Sequence, residues 1–430
     1  MKIDFHTFGC KVNTYDTGLM QKNFADSKNT DQNHVMVVNT CAVTGEATKE
    51  AIKWIKKYKS TNPQHKIVVT GCSAQVDTEL LKDLKEIDLL VANSHKGELK
   101  NLIQKMLNQE LPEKVFKSNI FKKLDLEPGG GEEDLHTRSF VKIQDGCNSF
   151  CTFCVIPFAR GKSRSLPAST IVNKINELFV KGIKEVVLTG VHIGDYEGDE
   201  AKNLEALVKK VLVETKMPRI RLTSIEPVEL SQELLELFGD ERMCKHFHMS
   251  IQSANTKVLR DMKRKYTHSE VEKSLNDIYK FFPEAYVGMD VIVGFPGETQ
   301  DEFGDTYQRL DQLPWTRIHV FPYSRRPGTY ADRLPEQWER GEIVARARRL
   351  RELSYQRSLQ RAKEQIGRQK EVLVLASSKK GLARDYWPVA LPEKISQMFQ
   401  VGTEVPVRIT GVQEQNNKGL EPRLTAELWS

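Results

Sequence analysis

Gly146-Cys147-Asn148-Ser149-Phe150-Cys151-Thr152-Phe153-Cys154 places three of the chain's seven cysteines within eight residues. Thiolates are the ligands of iron–sulfur clusters, which usually take four. Three local cysteines with no fourth nearby therefore suit a cube with one iron left open. Structural zinc is the first alternative, but it normally closes four ligands and spaces its cysteines in pairs. Three thiols packed as small apolar residues are the second, and this density argues against them.

The triplet follows an extended run, Phe140–Ile143, and five more such runs come after it: Glu185–Leu188, Ile220–Thr223, His246–Ile251, Met289–Val293 and Arg317–Phe321. With helical stretches between most of them, six βα units fit an incomplete parallel barrel whose site lies at the strand C-terminal ends. Upstream, Lys2–Phe8, His34–Asn39, Lys66–Thr70 and Asp88–Ala92 alternate with helical segments such as Ala47–Tyr58. In that helix Ala47, Ala51, Ile55 and Tyr58 recur at helical spacing. This predicts an open parallel α/β sheet. Cys10, Cys41 and Cys72 directly follow its first three strands, and strand C-termini in such a sheet share one ligand-binding edge. Three dispersed thiols thus converge on a second site.

Glu127-Pro128-Gly129-Gly130-Gly131-Glu132-Glu133 has linker composition. Residues 341–366 read as a long helix carrying Arg346, Arg348, Arg349, Arg351, Arg357 and Arg361. Beyond Gly367, the short strands Glu371–Leu375, Val405–Ile409 and Arg423–Glu427 predict an all-β module the size of a small oligonucleotide-binding barrel. The expected division is 1–126 for the open α/β domain, 127–137 for the linker, 138–366 for the barrel and 367–430 for the β module.

Hydrophobic residues at 39% and charged residues at 28% describe a globular, not a disordered, chain. No apolar run approaches the roughly 20 residues that span a bilayer. The start, Met1-Lys2-Ile3-Asp4-Phe5, lacks a secretory pattern, so a cytoplasmic protein without a membrane partner is expected. In that reducing compartment grouped cysteines bind metal or catalyse rather than form disulfides; Cys244, with no companion, reads as structural. The net charge of +6 only inclines the chain towards a polyanionic partner.

Cys-x-x-x-Cys-x-x-Cys after the first barrel strand resembles the signature of the radical S-adenosylmethionine superfamily. The segments CNSFCTFCVIPFARGKSR (147–164), HTFGCKVNTYDT (6–17), VVNTCAVT (37–44), VVTGCSAQ (68–75), LTGVHIGDY (188–196), MSIQSANTKVLRDMKRKY (249–266), DVIVGFPGET (290–299) and FPYSRRPGT (321–329) are similar to its methylthiotransferases, in family order. The last module resembles their RNA-binding TRAM domain. The resemblance implies a 4Fe–4S cluster on Cys147, Cys151 and Cys154 that binds S-adenosyl-L-methionine through its open iron. It also implies an auxiliary 4Fe–4S cluster on Cys10, Cys41 and Cys72, two cofactor molecules per turnover, a reduced electron-donor protein and a sulfur source of unspecified kind. The implied reaction adds a methylthio group to a tRNA adenosine in the anticodon stem-loop.

Gly9-Cys10-Lys11-Val12-Asn13, Phe158–Ser165 and Val191–Tyr196 are most similar to the threonylcarbamoyladenosine branch. The isopentenyl branch typically has Gln-Met for Lys11-Val12 and Gln-Asn for His192-Ile193. The alternatives are an isopentenyladenosine substrate, a ribosomal-protein aspartate, or a zinc-containing RNA-binding protein with no activity. Gln252-Ser253-Ala254-Asn255 departs from the family's Gln-Ser-Gly-Ser, and Leu166 stands where a second arginine is common. The resemblance further implies cofactor contacts at Phe153, Gly190, Glu226, Gln252 and Arg264, which could otherwise be a core aromatic, a turn glycine and an ion pair. Lys49, Lys53, Lys56, Lys57 and Lys59 read as a solvated helix face. The arginine helix is divided between phosphate attraction and packing. Arg384, Tyr386, Trp387 and Lys418 offer basic and aromatic groups of the kind that stack on loop bases.

Overall fold

β-branched runs that bury both faces build the first sheet. The computed structural model describes residues 2–25, 34–130, 137–376, 380–414 and 421–429. Strands β1 (Lys2–Thr7), β2 (His34–Thr40), β3 (Lys66–Gly71), β4 (Leu89–Ala92) and β5 (Val115–Phe116) pair in parallel in that order. In β2, Val35 and Val37 pack on Met20 and Phe24 of α1 (Lys11–Phe24). Met36 and Val38 point the other way, towards Ile55 of α2 (Gly45–Thr61). The two-residue β5 carries too short a signal to be read from sequence. Of the expected linker, Gly129 and Gly130 lie against α1: Gly129 N donates to Tyr15 Oη at 3.0 Å.

The six barrel strands form where expected: β6 (Ser139–Lys142), β7 (Glu185–Thr189), β8 (Arg219–Leu222), β9 (His246–Gln252), β10 (Tyr286–Val293) and β11 (Arg317–Pro322). All pair in parallel, as two three-stranded sheets linked by the bridges Ile220↔Met243 and Ile225↔Met249. One apolar core runs through both sheets. Among the described residues no helix is long and apolar enough to cross a membrane.

The arginine helix spans Arg340–Lys363. Ser354 Oγ bonds both N and O of Ile318, at 2.9 and 3.1 Å, and so clamps the helix on β11. Of the six arginines at 346–361, five turn inward or along the barrel. Arg346 pairs with Glu298 at 2.8 Å, and Arg351, Arg357 and Arg361 donate to the carbonyls of Val320, Leu313 and Pro283. Arg349 lies over the Tyr307 ring. Packing, more than phosphate attraction, accounts for this composition.

The C-terminal strands β12 (Gln369–Val374), β13 (Lys380–Ala383), β14 (Pro388–Ala390), β15 (Glu404–Gln413) and β16 (Arg423–Leu428) close a barrel in the order β12-β13-β14-β16-β15. β13 and β14 are too short to stand out in the sequence. This closure corrects the reading of three RNA candidates. Trp387 is 1% exposed in the small barrel's core, with no face free for a base. Tyr386 stacks on His246 at 3.9 Å under the Arg221 guanidinium. Arg384 donates to Pro218 O at 3.0 Å and pairs with Glu404 at 2.7 Å. These groups join the two barrels. Lys418 lies outside the described residues.

Candidate metal centres and the cavity between them

Cys10 precedes α1, Cys41 follows β2, and Cys72 opens a short helix after β3. The loops touch so closely that a Cβ on Gly9 would stand 3.0 Å from Cys41 Sγ, and one on Gly71 would overlap Thr40 O. Both glycines have positive φ, +110° and +98°. Asn13 ties the loops together, donating to Phe8 O at 2.8 Å and Thr40 O at 3.0 Å. Val43 N faces Cys41 Sγ at 3.5 Å and Asn93 Nδ2 faces Cys72 Sγ at 3.7 Å. Cys41 and Cys72 are buried, whereas Cys10 is exposed. Burial and the neighbouring Cys72 and Cys10 thiols push the Cys41 pKa up to about 12.

The second set leaves β6 through Gly146, whose φ is +77°. Cys147 N donates to Gly161 O at 3.1 Å, closing the loop. Ser149 N and Ile156 N point at Cys147 Sγ and Cys154 Sγ, each at 3.4 Å, and Arg264 Nη1 points at Cys151 Sγ at 3.1 Å. Burial and the adjacent Cys151 push Cys154 up to about 12. Each set gathers three thiols whose thiolates would repel one another, and every thiol but Cys10 meets an N–H donor among the described residues. Metal-bound sulfur has these needs, so the residues fit an iron–sulfur cluster at each.

The expected cofactor contacts surround the second set. Arg264 reaches Cys151 and also pairs with Glu226 Oε1 at 2.7 Å and with Tyr266 Oη at 2.8 Å, so it is committed at the thiols. Glu226 is raised by burial, against the pull of Arg264. Gly190 sits where a Cβ would meet Gln144 Oε1 at 2.9 Å; that oxygen accepts from Val191 N and His192 N. Phe153 and Gln252, the latter at φ +62°, line a cavity of about 200 Å³ with Cys154, Asp290, Tyr323, and Val43 and Thr44 of the first domain.

Sequence reasoning passes over three site residues. His192 Nδ1 lies 3.7 Å from Cys147 Sγ and its Nε2 bonds Glu229, a role hinted at only by its motif after β7. Lys11 points into the barrel, in the field of Arg138, Arg221 and Asp290, and burial first, then those arginines, pull its pKa to about 8. Among the described residues its ammonium has no hydrogen bond or ion pair, while Asp290 is taken by His248 at 2.9 Å. Arg160 is the third. It donates to both oxygens of Asp145 at 2.9 and 3.0 Å, to Asp16 at 3.0 Å and to Asn13 at 2.6 Å. Lys142 joins from β6, 2.6 Å from Asp16. The network is buried and fastens α1 to the barrel. The helix Ile156–Arg160 that ends at Arg160 packs Ala159, beside Val155, on Cys72, so the two thiol sets share one short segment. Cys244 is buried, as a structural reading requires.

A radical SAM superfamily model matches residues 141–310, and the model described as uncharacterized protein family UPF0004 matches 2–92. The chain is 37% identical to the threonylcarbamoyladenosine tRNA methylthiotransferase MtaB of Aquifex aeolicus, covering 88% of this chain and 94% of that one. It is 35% identical to the Bacillus subtilis protein of the same name, over 82% and 80%. The tRNA-2-methylthio-N(6)-dimethylallyladenosine synthase of Thermodesulfovibrio yellowstonii is 30% identical, over 96% and 97%. Among solved structures, the radical S-adenosylmethionine methyltransferase TsrM from Kitasatospora setae superposes with a TM-score of 0.55 at 13% identity over 77% of each chain, a likeness of fold.

Proposed function

Because the chain belongs to the radical S-adenosylmethionine tRNA methylthiotransferase family, we propose that its substrate is threonylcarbamoyladenosine next to the anticodon, which it converts to the 2-methylthio form. The reading assigns one 4Fe–4S cluster to Cys147, Cys151 and Cys154, an auxiliary one to Cys10, Cys41 and Cys72, and two S-adenosylmethionine molecules to each turnover. The division at 1–126, 138–366 and 367–430, a cytoplasmic location and a reduced protein electron donor belong to it.

The observation that carries it is the shared segment: Cys154 lies just before the helix whose Ala159 covers Cys72. One radical site and one sulfur site are thereby offered to a single substrate. When bound, the clusters and cofactor supply the electron, the carbon radical and the sulfur. The chain's own part is positioning. Arg264 and His192 hold Cys151 and Cys147, and Phe153 and Gln252 shape the cavity beside Cys154. Lys11 supports the choice of substrate. A threonylcarbamoyl group carries a carboxylate that a partnerless ammonium would meet, whereas a dimethylallyl group is apolar and would leave Lys11 unmatched.

The test is nucleoside analysis of tRNA from cells lacking the gene. The methylthio group is expected to vanish from threonylcarbamoyladenosine; its loss from the isopentenyl nucleoside instead overturns the reading.

A further inference from the structure

Three phenylalanines meet at the outer surface of the Cys147–Cys154 loop. Phe121, Phe150 and Phe158 have ring centroids 5.9–6.1 Å apart, Phe121 and Phe150 stacked and Phe158 edge-on to both. Phe150 is 37% and Phe158 41% exposed. The rings are only partly covered, so the trio leaves a contiguous apolar patch at the surface, the kind that marks interaction sites. Phe150 also holds φ +47°, a left-handed conformation that is costly for a bulky side chain. That cost is incurred between two of the triplet's cysteines and leaves the ring facing outward.

Three separate segments converge there. Cys147 N bonds Gly161 O, Ser163 N bonds Asn148 Oδ1 at 3.1 Å, and a Cβ on Gly161 would stand 2.7 Å from Ile120 O. The same contacts bring in Lys122, next to Phe121, and Lys162, next to Gly161. Both are exposed and form no ion pair among the described residues. Phe158 lies on the helix Ile156–Arg160, whose first residue lines the 200 Å³ cavity.

We propose that Phe121, Phe150 and Phe158 are a stacking platform for an unpaired base of the substrate RNA loop, with Lys122 and Lys162 taking its phosphates, while the target adenosine enters the adjoining cavity. The proposal rests on the RNA reading above and adds the surface that presents the loop. Every base offers a π-face, so such a platform grips the loop without reading its sequence. The closed C-terminal barrel keeps Trp387 inside and leaves Trp429 exposed beside Arg408; the phenylalanine trio is the exposed aromatic cluster at the thiol loop itself.

The test measures binding of an anticodon stem-loop RNA to the cluster-loaded enzyme by fluorescence anisotropy, comparing wild type with Phe158→Leu, Phe158→Tyr and Phe121→Ala. Iron content and visible absorption report that each variant retains its clusters. Phe158→Leu and Phe121→Ala are expected to weaken binding about tenfold each, the scale of one lost base–aromatic stack. Phe158→Tyr, which keeps the π-face, is expected to stay within about twofold of wild type. Lys122→Ala/Lys162→Ala is expected to flatten the slope of log K against log salt by about 1.4, from two single-strand phosphate contacts. Unchanged affinity in the leucine and alanine variants, with wild type binding tightly, overturns the platform and leaves the RNA reading intact. Unchanged affinity together with slowed cluster reduction by a reduced flavodoxin also overturns it, making the face a reductant's dock. Failure of wild type to bind the RNA overturns both.

Discussion

Replacing Glu185 by glutamine tests what couples the two barrels. Glu185 is fully buried and accepts from Arg219 Nε (2.8 Å), Arg221 Nε (3.0 Å), Arg221 Nη2 (3.2 Å) and Arg138 Nη1 (3.3 Å). The three arginines hold its carboxyl far below the usual range, overcoming the opposing effect of burial. A glutamine side chain at this position would keep one acceptor oxygen and no charge. Arg219 would retain Glu404 at 2.6 Å and Leu382 O at 3.1 Å, but Arg221 would face no carboxylate, keeping one bond to the amide oxygen, Arg384 O at 3.3 Å and its stack on Tyr386. Summing four charge-assisted bonds overshoots, because desolvation opposes them; removing one partner of a buried pair typically costs about 3–5 kcal/mol. We expect Glu185→Gln to fall at the lower end, since two of Arg219's three contacts survive. The assay is urea unfolding of the cluster-loaded protein followed by far-UV circular dichroism, which reads the whole chain. Adding Arg221→Met removes the stranded charge, so the double variant is expected to be more stable than Glu185→Gln alone. A single-variant loss below about 1 kcal/mol, the range of a surface pair, would refute Glu185 as the hub.

Three further outcomes are expected. Lys11→Gln should lower kcat/KM for threonylcarbamoyl RNA by about 10- to 100-fold, the loss of one charge-assisted bond, while iron content holds. Asp16 is depressed well below its usual value because Lys142, Lys96 and Arg160 outweigh burial. Its stabilisation is therefore present above the unfolded pKa of about 3.9 and is lost as pH falls through the lower folded value. Asp16→Asn should consequently flatten the loss of stability below about pH 4, read from urea midpoints, by up to one proton's worth of slope. Gly71→Ala, at φ +98° and with a Cβ that would overlap Thr40 O, should displace Cys41 and Cys72 and lower the iron bound per chain, measured by iron analysis.

The two cysteine sets and their strands are legible in the sequence because local patterns encode them. Spacing fixes Cys147, Cys151 and Cys154, and period-2 and β-branched runs mark every long strand. Arg160, His192 and Lys11 are not legible as site residues, because their surroundings come from groups 147, 45 and 279 positions away: Asn13 bonds Arg160, Cys147 faces His192, and Asp290 lies in the field around Lys11. Trp387 and Tyr386 mislead for a related reason. Composition cannot tell an aromatic that closes a barrel from one that meets a base, and β13 and β14, which bury Trp387, are too short to announce themselves. Arginine-rich sequence at 346–361 likewise reads as basic, although most of its charge caps carbonyls on the barrel.

The salt-bridged seam between α1 and the barrel bears on how such a protein can be inherited. Asp16 comes from one half, while Lys142, Asp145 and Arg160 come from the other. If the halves were exchanged separately between relatives, each graft would carry unmatched charge into a buried seam, which is costly unless the partner charge comes with it. The first domain and the barrel are therefore expected to travel together through evolution and to accept substitutions along the seam as matched sets.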